Sequence, residues 1–539
     1  MAVKKDKTVK SIESTIWESC NKLRSNMTAT NYMYFVMGLI FLKFAFMKFE
    51  KRRQELLSGD DAPFVDTPSF YAEKNVFYIE PEARWDFIVK NSKQTNIGTL
   101  IDKAFERLEA KNPQLKGALP IGTYGSSGLE LAKFSALISE IDKIKEDKDH
   151  PMQDLIGRIY QYFLNQFAVK TADEKGEFYT PDDLVWLITE LIEPYSGKVY
   201  DPCCGSGGMF IQSYKFVEAH QGNIDQVSVY GQESVSDTWK LAKMNLAIRG
   251  IPCNLGDKNA DTFLSDLHPD LKADFIIANP PFNSKDWRAS NALLNDYRWK
   301  GYGVPPVSNA NYAWILHMLS KLSLNGVAGF LLANGALGDS DTLEIRKNLI
   351  KSNNVEAIII CPREMFFYTD ISVTLWIMRK HKHPVKAFRD GKETQLRDRS
   401  DEVLFIDLRR IETNKVSEAK KKKEFNEGNI QFVKNIYESW ISPDWMNLYH
   451  DVPELCRSVK VYDSQLTDEE KAAGVPTIES QGWSLVPSKY IEFVDHDLEI
   501  DFPKEMKRIQ GEMRELLKEE KASQKQLEDA FRGIGYAID

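Results

Sequence analysis

A chain of 539 residues, 42% of them hydrophobic, is too long for one ordinary core and predicts two to four globular domains. Its formal net charge of −9 excludes a protein that grips a nucleic acid backbone across its whole surface; a nucleic acid substrate would need a local basic face or a partner. Cys20, Cys203, Cys204, Cys253, Cys361 and Cys456 show no zinc-like spacing and the adjacent pair cannot easily bridge, so a reducing cytoplasm and no metal are expected.

The start is Lys-rich without a signal-peptide core, and the most apolar run, Tyr32 to Leu42, is interrupted by Lys43 and Lys48. It is too short to cross a bilayer and predicts a buried helix. Apolar residues at three and four spacing predict further helices over Ile12 to Leu23, Asn31 to Leu57, Ile101 to Leu108 and Leu129 to Ile144. Residues 1–150 therefore read as a helical bundle, with Lys143 to His150 as the linker.

From Asp154 the pattern changes. A helix over Leu155 to Phe167 leads into Gly176-Glu177-Phe178-Tyr179-Thr180-Pro181, where Thr180, Pro181 and the two acids behind them mark the N-terminus of a helix running to about Ile192. A strand over Lys198 to Tyr200 feeds the glycine-rich turn Asp201 to Gly208, followed by a helix from Met209 to Ala219. That is a nucleotide-type first βα unit. A carboxylate at Asp201 would repel a pyrophosphate but suits a ligand carrying an ammonium and a sulfonium, and the glycines allow close approach to the main chain. A second strand, Gln226 to Gly231, ends in Gln232-Glu233, an acid placed to take ribose hydroxyls, and leads to a helix over Thr238 to Arg249. The third strand is poorly marked, with Asp257 and Asp261 in the loop after it.

The fourth strand, Asp274 to Ala278, stops at Asn279-Pro280-Pro281-Phe282. The prolines end the sheet and leave a polar amide at the carboxyl edge, where open α/β sheets bind ligands. The Asn279 amide oxygen and the Pro280 carbonyl, two fixed acceptors, match one exocyclic amine, and Phe282 can stack on the flat ring bearing it. Asn283 to Val307 then holds Trp287, Arg288, Tyr297, Arg298, Trp299, Lys300 and Tyr302; it reads either as a base- and phosphate-contacting flap or as an ordered flap packed on its own domain. Asn311 to Lys321 predicts a helix, and Gly326 to Ala333, Val355 to Cys361 and Ile371 to Met378 predict strands. The Lys420 to Lys423 run reads as a solvated charged face. Finally, Met506, Ile509, Met513, Leu516, Glu520, Ser523, Leu527 and Ala530 form a thin heptad seam with a polar middle in a charged helix from Pro503 to Phe531, which predicts packing on a partner, or docking on its own chain as the alternative.

This set of motifs, in this order, resembles the S-adenosylmethionine-dependent DNA amino-methyltransferases, and nearly the full length is similar to the modification subunits of type I restriction-modification systems. The N-terminal Asn21-Lys22-Leu23-Arg24 with Tyr34 to Phe44, and Ser484 to Tyr490 near the end, extend the resemblance. It implies a Rossmann-like α/β methyltransferase domain over residues 151–410 between the helical domain of residues 1–150 and a mixed region of 411–502, with a partner-binding helix over 503–539. It implies that Glu177, Phe178, Tyr179, Thr180 and Pro181 meet the methionine end of S-adenosylmethionine, that Asp201, Cys203, Gly205, Ser206 and Gly207 form its glycine loop, that Glu233 holds the ribose, and that Asp261, with Asp257 as a second candidate, lies near the cofactor's adenine. Asn279, Pro280, Pro281 and Phe282 match the catalytic motif of adenine N6 methylation, and Phe366, flanked by Phe367 and Tyr368, matches an aromatic that stacks on the flipped base. The implied partners are duplex DNA, a specificity subunit carrying two copies of this chain, and a restriction subunit, with no membrane. A protein glutamine methyltransferase and a non-catalytic cofactor-binding scaffold are the alternatives.

Overall fold

The computed structural model describes residues 12–24, 27–146, 155, 158–164, 166, 180–366, 372–389, 391–417, 422–494 and 502–533. They form two compact units, residues 1–491 and 492–539.

The first unit opens with α1 (Ile12–Lys22) and α2 (Ala29–Ser58), followed by α3 (Ile97–Lys111) and α4 (Leu131–Asp142). Thr28 caps α2 by accepting from Asn31 N at 3.2 Å. From Tyr32 to Leu42 this helix carries apolar residues all round, and Tyr32, Phe35, Val36, Leu39, Ile40 and Phe41 are buried. A helix hydrophobic on every side belongs in an interior. The helix is longer than the apolar run suggested, and by length and composition it could cross a membrane, which corrects the expectation on length; 78% of its apolar window is buried inside the fold, consistent with the predicted core helix.

The sheet begins after α5 (Asp182–Ile192). Its strands are β1 (Gly197–Asp201), β2 (Val227–Gly231), β3 (Cys253–Asn254), β4 (Ala273–Ala278), β5 (Leu322–Ala333), β6 (Val355–Ile360) and β7 (Val373–Arg379). Two further strands join it after the separate hairpin β8 (Val385–Arg389) and β9 (Lys392–Leu396): β10 (Glu402–Asp407) and, beyond a small hairpin of β11 (Asn414–Ser417) and β12 (Lys422–Glu424), β13 (Cys456–Lys460). The order across the sheet is β13-β10-β6-β7-β5-β4-β1-β2-β3. The strands β4, β1, β2 and β3 pair in parallel, as do β4 and β5, while β7 lies antiparallel to both β5 and β6. Helices α6 (Gly208–Ala219) and α7 (Ser236–Ile248) connect the first strands, α8 (Asn311–Lys321) precedes β5, α9 (Leu343–Lys351) precedes β6 and α10 (Glu427–Ile441) precedes β13. β6 and β7 are buried at every residue, as expected of strands covered on both faces.

The third strand, poorly marked in the sequence, is only two residues long and so carries no periodic signal. The sheet runs past the border expected at residue 410, because β13 pairs with β10 and the α10 residues Ile430, Val433, Tyr437 and Trp440 enter the same core.

The helical bundle and the sheet share α7. Its Leu241, Met244 and Ile248 pack in the bundle's core, whereas Trp239, Ala242 and Leu246 pack against the sheet. In the second unit, α11 (Phe502–Gly533) is a single 32-residue helix with Ile509, Met513, Leu516 and Leu527 exposed, so the predicted helix forms with its seam uncovered.

Candidate active site

Strand order reverses between β1 and β4, which are hydrogen-bonded neighbours, and open α/β sheets bind ligands outside the carboxyl ends of strands at such a point. Asp201 is the last residue of β1 and Asn279 the first after β4. The fold thus brings together two motifs that are 78 positions apart in sequence (279 − 201).

Asn279 donates its Nδ2 to Thr180 Oγ1 at 2.8 Å. Its Oδ1 is buried and has no hydrogen-bond partner among the described residues. Leaving a buried acceptor unsatisfied costs about 1–3 kcal/mol, so the group is a natural receptor for a ligand donor. Pro280 is buried beside it and Phe282 half-buried, its ring edge-on to Phe366 with centroids 6.0 Å apart at 85°.

All four residues of the Asn279 to Phe282 motif line a cavity of about 610 Å³ that also takes in Cys203, Gly205, Ser206, Glu233 and Asp261. That volume suits a cofactor-sized ligand. Gly205 has φ +53° and a Cβ there would meet nothing within 4 Å, so the bare backbone is open to an approaching molecule. Gly207 is a glycine for another reason: its φ is +82° and a Cβ would crowd Leu246 of α7 at 3.3 Å. Glu233 accepts from Gly205 N at 3.1 Å and Val235 N at 2.9 Å, joining the loops after β1 and β2. Burial pushes its carboxyl above the usual range, against those backbone bonds. Burial also pushes Asp201 up to about 7, opposed by the Cys203 N–H and reinforced by the charge of Glu233. The donor set fits S-adenosylmethionine: open glycine backbone, acids that gain from a cationic ligand, and an unpartnered acceptor beside them.

The structure sorts the predicted residues. Asp261 lines the cavity, with its Oδ1 accepting from Phe263 N and Leu264 N at 2.8 and 2.9 Å; Asp257 is exposed and does not line it. Asp201 is 1% exposed and does not line the cavity; it accepts from Cys203 N at 3.0 Å and so shapes the turn after β1. Pro181 stands before α5, and Glu177, Phe178 and Tyr179 lie outside the described residues. Phe366 is 4% exposed and does not line the cavity; Phe367 and Tyr368 lie outside the described residues.

For the flap after Phe282, packing on its own domain is what the structure shows at four of the candidate contacts. Arg298 pairs with Asp296 at 2.7 Å and donates to the carbonyls of Thr262 and Phe263 at 3.2 and 2.7 Å. Arg288 donates to backbone carbonyls including Pro305 O, and Trp287 and Trp299 donate their indole N–H groups to Pro306 O and Leu293 O. These guanidinium and indole groups serve the backbone of the flap and its neighbour, whereas Tyr297 and Lys300 remain exposed.

Sequence reading missed three residues. Gln232 is fully buried, donates to Ala260 O and Ser265 O, and accepts from Leu267 N, pinning the loop that carries Asp261. A polar side chain directly after a strand was the available signal. Asn245 on α7 donates to Ser206 O at 2.7 Å and holds the glycine loop from behind, with nothing local to announce it. Tyr34, from the helical bundle, lines the cavity as well.

A parallel switch-point site with a glycine loop after β1, an acid after β2 and Asn-Pro-Pro-Phe after β4 defines an α/β methyltransferase. Comparison with known proteins agrees: the N-6 DNA methylase family matches residues 151–479, and the HsdM N-terminal domain matches residues 12–144. The chain belongs to the N-6 DNA methylase family, among the methylase subunits of type I restriction enzymes. It is 33% identical to the MjaIX methylase subunit of Methanocaldococcus jannaschii over 97% of this chain and 91% of that protein. It is 36% identical to the HindI methylase subunit of Haemophilus influenzae over 82% of this chain and 94% of that one. The fold is also that of a type I restriction-modification methyltransferase subunit from Streptococcus thermophilus, with a TM-score of 0.69 at 22% identity, covering 89% of this chain and 99% of that chain.

Proposed function

We propose that this methylase subunit transfers the methyl group of S-adenosylmethionine to the N6 amine of an adenine swung out of duplex DNA. The observation that carries this reading is the buried, unpartnered Oδ1 of Asn279 beside Pro280, at the edge of a cavity that also holds the glycine loop and Glu233. Asn279 Oδ1 and the Pro280 carbonyl accept the two N–H bonds of the target amine, which holds the nitrogen in place and turns its lone pair away from them. The Thr180 hydroxyl, bonded to Asn279 Nδ2, fixes which end of the amide faces the amine. Phe282 stacks on the extruded base, and Phe366, now edge-on to it, supports that ring. Cys203, Gly205, Ser206, Glu233 and Asp261 hold the cofactor, with Asp201 stabilising its cationic end from behind the loop. S-adenosylmethionine, when bound, would supply a methyl group already activated for transfer: the S–C bond would break as the N–C bond forms, S-adenosylhomocysteine would leave, and the surplus amine proton would pass to solvent, so the protein's part is positioning.

The specificity of the reaction comes from a partner. An acidic chain binds duplex DNA weakly, since affinity rests on neutralised phosphates. The exposed seam of α11 suits a helical surface of a specificity subunit, with two copies of this chain around it and a restriction subunit joining in the cytoplasm. The full-length likeness to methylase subunits disfavours both the glutamine methyltransferase and the scaffold readings. The test uses methyl-labelled cofactor and DNA, with the chain alone and with its recognition partner. Label in N6-methyladenine that depends on the partner, and is lost on deleting residues 503–539, is the expected result; label on cytosine or on protein would overturn the reading.

A further inference from the structure

The cavity is not closed by the sheet domain alone. Met33 and Tyr34, on α2 of the helical bundle, line it together with Glu233, Val235 and Thr238 of the segment after β2. Tyr34 Oη lies 3.4 Å from Thr238 Oγ1 across the two parts of the unit. The same half-buried ring lines a second hollow of about 690 Å³, formed with Thr28 and Ser126 of the bundle and Lys240 of α7, so Tyr34 is a wall between the two spaces.

This wall is anchored to the glycine loop. Lys48 of α2 donates to Ile248 O at the end of α7 at 2.7 Å. The Arg249 guanidinium hydrogen-bonds the Asn245 side chain and lies 5.5 Å over the Tyr160 ring, and Asn245 in turn holds Ser206 O. Since α7 contributes to both cores, the bundle cannot shift relative to the loop without breaking these contacts.

We propose that the helical bundle forms one wall of the cofactor site and that Tyr34 is a cofactor-binding residue meeting the adenosine end of S-adenosylmethionine. The inference rests on the reading of this cavity as the cofactor site. Placement selects the end: Tyr34 stands with Glu233 and Thr238, whereas the Thr180–Asn279 pair marks the reacting end. A phenol presents an apolar body and a polar tip, which suits a nucleoside better than the charged amino-acid end. Bound cofactor then bridges bundle and sheet and stiffens their union.

The test measures binding of S-adenosylhomocysteine and of 5′-methylthioadenosine, which lacks the amino-acid end, by calorimetry on the full chain. Tyr34→Ala should weaken both ligands by roughly tenfold and Tyr34→Phe by less, a scale expected for losing one aromatic contact with its hydroxyl. In the unaltered protein, S-adenosylhomocysteine should slow hydrogen exchange around Tyr34 in α2, a readout independent of how the variants fold. Unchanged affinity for both ligands, a loss confined to S-adenosylhomocysteine, or unaltered exchange in α2 would each overturn the proposal. If the unaltered protein binds neither ligand, the cofactor reading of the cavity falls and this inference with it; normal binding with an insensitive Tyr34 removes only the inference.

Discussion

Two clusters of buried polar groups on the sheet differ in what answers them. On the flank running from β7 through β6 and β10 to β13, Glu356 is completely buried, pairs with Arg379 at 2.5 Å and Arg399 at 3.2 Å, and accepts from Tyr437 Oη at 2.9 Å. Burial alone would raise its carboxyl, yet the two arginines hold it below the usual range. Nearby, Glu193 is fully buried with Arg389 at 3.4 Å and Lys434 at 2.7 Å, and there burial outweighs both cations and keeps the carboxyl above the usual range. On the flank of β4, β1, β2 and β3, Asp201 is buried without a cation and stays raised, and Asn279 Oδ1 has no partner among the described residues. Partners at Glu356 fasten the fold, whereas Asn279 Oδ1, at the edge of the cavity, is open to a ligand donor.

The largest effect expected from this contrast is on stability. Glu356→Ala leaves Arg379 and Arg399 buried without their counter-charge, and should cost about 3–5 kcal/mol in denaturant unfolding. Removing Asn279 leaves no stranded charge, so Asn279→Ala should unfold close to the unaltered protein. Its effect falls on chemistry: methyl transfer with the recognition partner should drop by roughly two to three orders of magnitude, while calorimetric cofactor binding persists. Near-normal turnover of that variant would refute the two-acceptor arrangement.

A smaller loss is expected at the loop junction. Glu233→Ala removes the carboxylate that ties Gly205 N to Val235 N and faces the cavity, and should weaken S-adenosylhomocysteine binding by about 1–3 kcal/mol with little change in unfolding. Equal affinity in the variant and the unaltered protein would take Glu233 out of the site. The smallest effect concerns pH. Asp201 is raised from 3.8 in the unfolded chain to about 7 in the fold, so the fold holds a proton that the unfolded chain lacks between those values. Stability of the free protein therefore falls as pH rises through that window and levels off above it. A ligand ammonium favours the carboxylate and expels the proton, so affinity should be about tenfold weaker at pH 6 than on the plateau above pH 7. Asp201→Asn should flatten that slope, as read by calorimetry in buffers of different ionisation heat.

Much of the cofactor flank is legible in the amino-acid sequence. Strand periodicity locates β1, β2 and β4 to within a residue or two, and the residues at their ends, Asp201, Glu233 and Asn279, are chemically conspicuous because a strand end facing a ligand must change from apolar to polar abruptly. The opposite flank is not legible in that way. Residues 381–440 carry no chemically conspicuous short motif, yet they supply β10 and nearly all of α10, and Arg389, Arg399 and Tyr437 become meaningful only when Glu193 and Glu356 are brought against them.

By itself, then, the sequence determined the helical bundle, the order of the motifs and the chemistry at the strand ends, since these depend on periodicities and short spacings that local sterics and hydrogen bonding enforce. Only the tertiary structure decided which cations hold a backbone, as at Arg288 and Arg298, which distant residue lines the cavity, as at Tyr34, and which ones pin its loops, as at Asn245 and Gln232. Those roles arise from desolvation and contact between segments far apart in the chain, and such contacts leave no periodic trace in the residues that make them.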